Sequence, residues 1–216
     1  SRLLSYPSGL VFIKSLSAAI KSMIPLRSSV LLGTVSSSLF GQDYFKTYAS
    51  PNGLSVKVYF LNNPKPMQSQ LLNVDDTKGT IKTSQSEYNL RELKTRNKID
   101  RFEYQFPIQT QKELKKLANE QYDLQTLAAV RPVMYKVFPF HEINPEFLPI
   151  HDNCLIYVQA LIAMEQFNEA LSLLYKLNLK RLDDYEYREF SEAALDLAGK
   201  MIATNPKAAM RSSRRR

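Results

Sequence analysis

The sequence predicts an α+β fold that is mainly helical. Three observations predict it. Leu54, Val56, Val58 and Phe60 alternate with Ser55, Lys57, Tyr59 and Leu61, the period of two that gives a strand one buried face. From Thr110 onward apolar residues recur at spacings of three and four, the helical period. Residues 132–150 then carry Pro132, Pro139, Pro145 and Pro149 among aromatics, separating two helical stretches.

Taken in order, residues 1–42 form a basic N-terminal arm. They contain no Asp or Glu, are rich in Ser, and hold Arg2, Lys14, Lys21 and Arg27. Leu10, Val11, Phe12, Ile13, Leu16, Ala19, Ile20, Met23 and Ile24 recur at helical intervals, and Lys14 and Lys21 share one face. A basic, Ser-rich, acid-free amphipathic segment has the composition of a mitochondrial transit peptide. The lysines, Arg27 and Pro25 interrupt the apolar run too often for a membrane span of about 20 residues.

Residues 43–109 predict one β-hairpin and an irregular segment. Residues 43–50 read as a strand, Pro51-Asn52-Gly53 as the turn and residues 54–62 as the return strand, because Asn-Gly is a strong hairpin signal. Asn63-Pro64-Lys65-Pro66 breaks regular structure, and Lys78-Gly79 marks a second turn. Residues 84–98 suggest a short helix. Phe102, Tyr104 and Phe106 alternate like a short strand ending at Pro107 and suit core packing.

Residues 110–205 predict a helical module. Thr110-Gln111-Lys112-Glu113 fits a capping box, in which hydroxyl and carboxylate satisfy the open N–H groups of a helix start. Leu114, Leu117, Gln121, Leu124, Leu127 and Ala128 line one face, and Arg131-Pro132 ends that helix, leaving 132–150 as an extended, packed connector. Asp152 or Asn153 caps a helix running to about Met164. A turn at 165–168 leads to a second helix ending near Leu177. Asp183 or Asp184 caps a third, with Tyr187, Phe190, Ala194, Leu197 and Met201 on one face and Pro206 closing it. Residues 206–216 are a basic tail.

Composition excludes several classes. Hydrophobic residues at 44% and charged residues at 23% are globular proportions. Cys154 is the sole cysteine, so no internal disulfide forms and a reducing compartment fits. The net charge of +8 resides mainly in the ends and the first half: residues 51–110 hold nine basic and six acidic side chains and residues 206–216 carry Lys207, Arg211, Arg214, Arg215 and Arg216 with no acid, whereas residues 151–205 hold five basic and nine acidic side chains. A dedicated nucleic-acid domain more often has its basic face on the folded core. Phosphate loops and nucleophile elbows are absent, and the paired Asp75-Asp76 and Asp183-Asp184 point apart in regular structure. His141, His151 and Cys154, with Glu142 or Asp152 as a fourth ligand, lack tight zinc spacing. The sequence therefore names no catalytic, cofactor-binding or metal-binding residue and no small-molecule substrate.

Ala163-Met164-Glu165-Gln166-Phe167-Asn168-Glu169-Ala170-Leu171, followed by Leu174, resembles the second half of a tetratricopeptide repeat. The resemblance implies that aromatic Phe167 sits at the inter-helix turn and that small Ala170 lets two helices approach. Glu165 stands where the family has its turn glycine, and no second copy follows at a period near 34. More loosely, residues 145–203 are similar to the soluble helical-repeat subunit on the matrix side of cytochrome c oxidase. The shared pattern is the apolar helix 155–164, the aromatic turn Gln166-Phe167, the Lys-ending helix 171–180 and the aromatic-rich helix 185–202.

These readings converge on a non-catalytic accessory or scaffold subunit, peripheral on the matrix side of a mitochondrial inner-membrane respiratory or ATP synthase complex. Its expected partners are other protein subunits, with anionic lipid as a further contact. The alternative is a mitochondrial ribosomal protein whose basic ends run along rRNA. The expected contact residues are Arg2, Lys14, Lys21, Arg27, Phe167, Ala170, Arg211, Arg214, Arg215 and Arg216. If the arm is a targeting segment, residues 1–27 fused to a reporter protein will carry it into mitochondria. A reporter left in the cytosol contradicts the localisation.

Overall fold

Leu54–Phe60 forms strand β1, as its alternation requires, with Leu54, Val56 and Val58 buried. The computed structural model describes residues 44–48, 51–75, 78–141, 143–176 and 184–204. The chain divides into two compact units, Ser1–Leu39 with Ala198–Arg216, and Phe40–Leu197. Nearly all described residues belong to the second. Its elements are α1 (Tyr44–Tyr48), β1, β2 (Asn63–Asp75), β3 (Thr80–Thr83), β4 (Glu87–Asn89) and β5 (Ile99–Glu103), then α2 (Ile108–Ala118), α3 (Leu124–Val137), α4 (His151–Ala163), α5 (Phe167–Lys176) and α6 (Asp184–Thr204). The fold is α+β.

The expected single hairpin is part of a five-stranded antiparallel sheet in the order β4-β3-β2-β1-β5. The strand expected at 43–50 is helix α1, and β1 turns back instead onto β2. The rings of Phe45 and Tyr48, three residues apart, both meet Tyr135 of α3, at 4.7 and 6.2 Å. A helix puts such a pair on one side; a strand would separate them. The β1–β2 ladder pairs Val58 with Met67 and Phe60 with Asn63. Pro64 and Pro66, expected to break structure, fall inside the irregularity between those pairs, where no ladder donor is needed. Met67, Ser69 and Leu71 point inward, with Ser69 and Leu71 buried. The short helix expected in 84–98 is replaced by β4 and a 3-10 turn, Leu90–Glu92.

The helix expected from Thr110 is two helices. Glu120 takes a left-handed backbone, φ 58°, and stops α2. Asp123 then caps α3, accepting from the Thr126 amide at 2.7 Å. The capping box does not form, because α2 begins two residues earlier behind Pro107, and Thr110 and Glu113 face inward. Glu113 instead bonds across the gap. It accepts from Gln109 Nε2 at 2.6 Å and Lys116 Nζ at 2.8 Å, and lies 3.1 Å from the Thr126 hydroxyl. Lys116, and after it the Thr126 hydroxyl, hold its carboxyl below the usual range. Pro132 does not end the helix. It removes one backbone donor, but α3 continues to bury Met134, Tyr135 and Val137. The connector expected at 132–150 thus begins as helix, to Val137, and continues as the 3-10 turn Phe138–Phe140, which packs on β2, before a run of turns and bends.

The C-terminal helices lie close to expectation. Ile150, not Asp152 or Asn153, occupies the cap of α4, and no side-chain cap bond forms. Residues expected at 177–183, including Asp183, lie outside the described residues. On α6 the buried face is Phe190, Ala193 and Leu197, and Ala194 is half-buried. Ala170 is fully buried where α5 packs on α4. Replacing Ala170 with Leu forces extra methylenes into that seam, which typically costs about 1–3 kcal/mol. Urea unfolding of the full chain will show this loss, whereas Glu192→Ala on the exposed face of α6 will change stability by under about 0.5 kcal/mol.

Candidate interaction cleft

Of the residues singled out as contacts, Arg2, Lys14, Lys21, Arg27, Arg211, Arg214, Arg215 and Arg216 lie outside the described residues. Phe167 and Ala170 share the start of α5. Ala170 is buried, and Phe167 is only half-buried, leaving ring surface open at the turn. Glu165, standing where the repeat family has glycine, adopts φ 58°. The turn keeps a glycine-like backbone without the glycine, at a strain cost of order 1–3 kcal/mol.

A concavity lies elsewhere. The β1–β5 ladder ends at Lys57 opposite Glu103, although β1 begins three residues earlier at Leu54. Beyond Glu103 the chain has no regular structure until α2 starts at Ile108, and Tyr104 and Phe106, two residues apart, both face the cleft. This connector, α2 and α4 enclose an open cleft of about 640 Å3. Tyr104 and Phe106 stack edge-to-face at 4.8 Å along one wall. Leu114 and Ala118 of α2 and Ile156 of α4 add apolar surface, with Ile108 74% exposed at the mouth. Partial burial raises the Tyr104 phenol above its ordinary value. The Gln111 side chain ties the connector down by donating to the Phe106 carbonyl at 2.8 Å. The amides of Tyr104, Gln105 and Phe106 donate to no group among the described residues.

Charge at the rim is unequal. Glu103 is occupied. Its carboxylate accepts from Gln105 Nε2 at 3.1 Å, lies 3.9 Å from Lys57 Nζ and faces the Tyr59 hydroxyl. The Tyr59 contact, then Gln105, hold that carboxyl below its usual range, and Arg101 stacks 4.0 Å from the Tyr59 ring centroid. Lys115 of α2, which lines the cleft, is exposed and makes no ion pair among the described residues.

Buried polar chemistry is consumed in structure. Arg131 of α3 grips Glu169 of α5 through two hydrogen bonds of 2.9 and 2.8 Å, and the Tyr157 hydroxyl of α4 donates to the same carboxylate at 2.8 Å. Burial and the Glu169 charge push the Tyr157 phenol far up, so it stays a donor. Burial likewise raises the Cys154 thiol, keeping it out of nucleophilic chemistry. The three zinc-type residues do not converge: His141 Nδ1 lies 2.6 Å from the Phe138 carbonyl, His151 sets its ring edge against Phe190 at 4.8 Å, and no group of three His, Cys, Asp or Glu forms among the described residues.

The cleft was partly visible in the sequence, since Phe102, Tyr104 and Phe106 alternate. Only Phe102 joins the core, while Tyr104 and Phe106 line the wall. Among the described residues no helix is long and apolar enough to cross a membrane. Comparison with protein-family models, with curated proteins and with solved structures returns no match.

Proposed function

We propose that the chain is a non-catalytic subunit of a multi-subunit mitochondrial assembly, docked peripherally on the matrix side of an inner-membrane respiratory or ATP synthase complex. The observation that carries this reading is the cleft beside residues 104–106. It offers apolar surface and open backbone amides, the two things a protein contact uses. The buried ionisable groups meanwhile serve to join helices. The acid-free arm at 1–42 and the basic tail at 206–216 support the mitochondrial setting and further contacts with acidic subunits or anionic lipid.

A second reading, a mitochondrial ribosomal protein, is favoured by Lys65, Lys82, Arg91 and Lys98, which are exposed and have no ion pair among the described residues. Native purification of the tagged full chain separates the two. The first reading expects co-migration with an inner-membrane protein complex that is insensitive to ribonuclease. Sedimentation with rRNA, abolished by ribonuclease, replaces it with the second.

A further inference from the structure

We propose that the cleft between β5 and α2 binds an extended, acidic and apolar segment of a partner protein, which adds as a short strand beside residues 104–106; this rests on the reading of the chain as an interaction subunit. The backbone supplies the first argument. Sheet strands normally share their amides with a neighbour, and an extended stretch that does not is a template for an added strand. Here the ladder to β1 stops at Glu103, and the amides of Tyr104, Gln105 and Phe106 are unused. Successive amides of a strand face opposite edges, so Tyr104 and Phe106 present theirs on one side, roughly 7 Å apart, the spacing at which one added strand registers.

The lining supplies the second. Side chains alternate along an added strand, so those on one face meet the same wall. Tyr104, Phe106, Leu114 and Ile156 make that wall apolar, which selects β-branched or aromatic residues at alternate positions. Charge supplies the third. Glu103 is already engaged by Lys57, Gln105 and Tyr59, whereas Lys115 has no acidic partner among the described residues. The uncompensated charge at the rim is positive, so the complementary residues between the apolar ones are Asp and Glu. RNA fits less well. Its stacking platforms run with a cationic backbone track, and this wall holds one lysine, Lys115, beside Glu103.

The test uses the full chain, isotopically labelled, and a library of acetylated octapeptides that alternate Asp or Glu with Val, Ile or Phe. The expected result is saturable binding that shifts the amide resonances of Tyr104, Gln105 and Phe106. The best binder loses at least tenfold in affinity when its acids become lysines, and a similar factor when its alternate amides are N-methylated. Lys115→Glu weakens binding at least tenfold, while Lys136→Glu, on exposed α3 surface, leaves it unchanged. The proposal is overturned if no library member binds, if lysine peptides bind equally, if the Lys115 variant binds as the parent does, or if single-stranded RNA shifts the same three amides in place of peptide. A chain that co-purifies with its assembly yet fails these tests loses the cleft proposal alone. A chain that binds peptide yet runs free of any complex loses the subunit reading alone.

Discussion

One buried carboxylate, Glu169, decides how the helices of this protein meet. It is 5% exposed, and a lone charge so placed would cost several kcal/mol. The structure answers that cost with a bidentate guanidinium from Arg131 and a hydroxyl from Tyr157. Each partner sits on a different helix, so satisfying Glu169 requires α3, α4 and α5 to converge at one point. Bidentate Arg–carboxylate geometry also fixes orientation, since two parallel bonds form only in one relative pose.

The rest of the described unit hangs on that junction. One turn beyond Arg131, Tyr135 receives the rings of Phe45 and Tyr48, which docks α1. The end of α3 runs into the turn at Phe138–Phe140 that packs on β2, joining helices to sheet. Next to Tyr157 on α4, Ile156 and Asn153 form one wall of the cleft, and α6 meets α4 through Phe190 and His151. The binding surface proposed above therefore shares helix α4 with the polar contact that fixes how that helix packs.

The legible parts of the fold were those where side-chain period and burial agree. Strand β1, the turn between α4 and α5, and the buried face around Phe190 and Leu197 follow from residue pattern. Where the sequence misled, a residue acted outside its usual habit. Glu120 and Glu165 take left-handed conformations at helix ends without the glycine that announces them, and Lys98 does the same before β5. Strand β2 buries Ser69 and contains two prolines, which hides its period. Glu169 reads as a surface residue of an amphipathic helix, because its partners lie 38 and 12 residues away in sequence. The cleft was visible only as an aromatic alternation, since the open amides that define it depend on where the ladder to β1 stops.

The most direct test of the junction is a double-mutant cycle on Arg131→Met and Glu169→Leu in the full chain, read by urea unfolding. Each single change leaves a charge half-buried or buried without its partner, and the account predicts a loss of about 3–5 kcal/mol for each. The double variant, with both charges removed, is predicted to lose no more than either single one, giving a coupling of at least about 3 kcal/mol. Additive losses, or single variants as stable as the parent, would contradict the claim that this ion pair sets the arrangement of the helices.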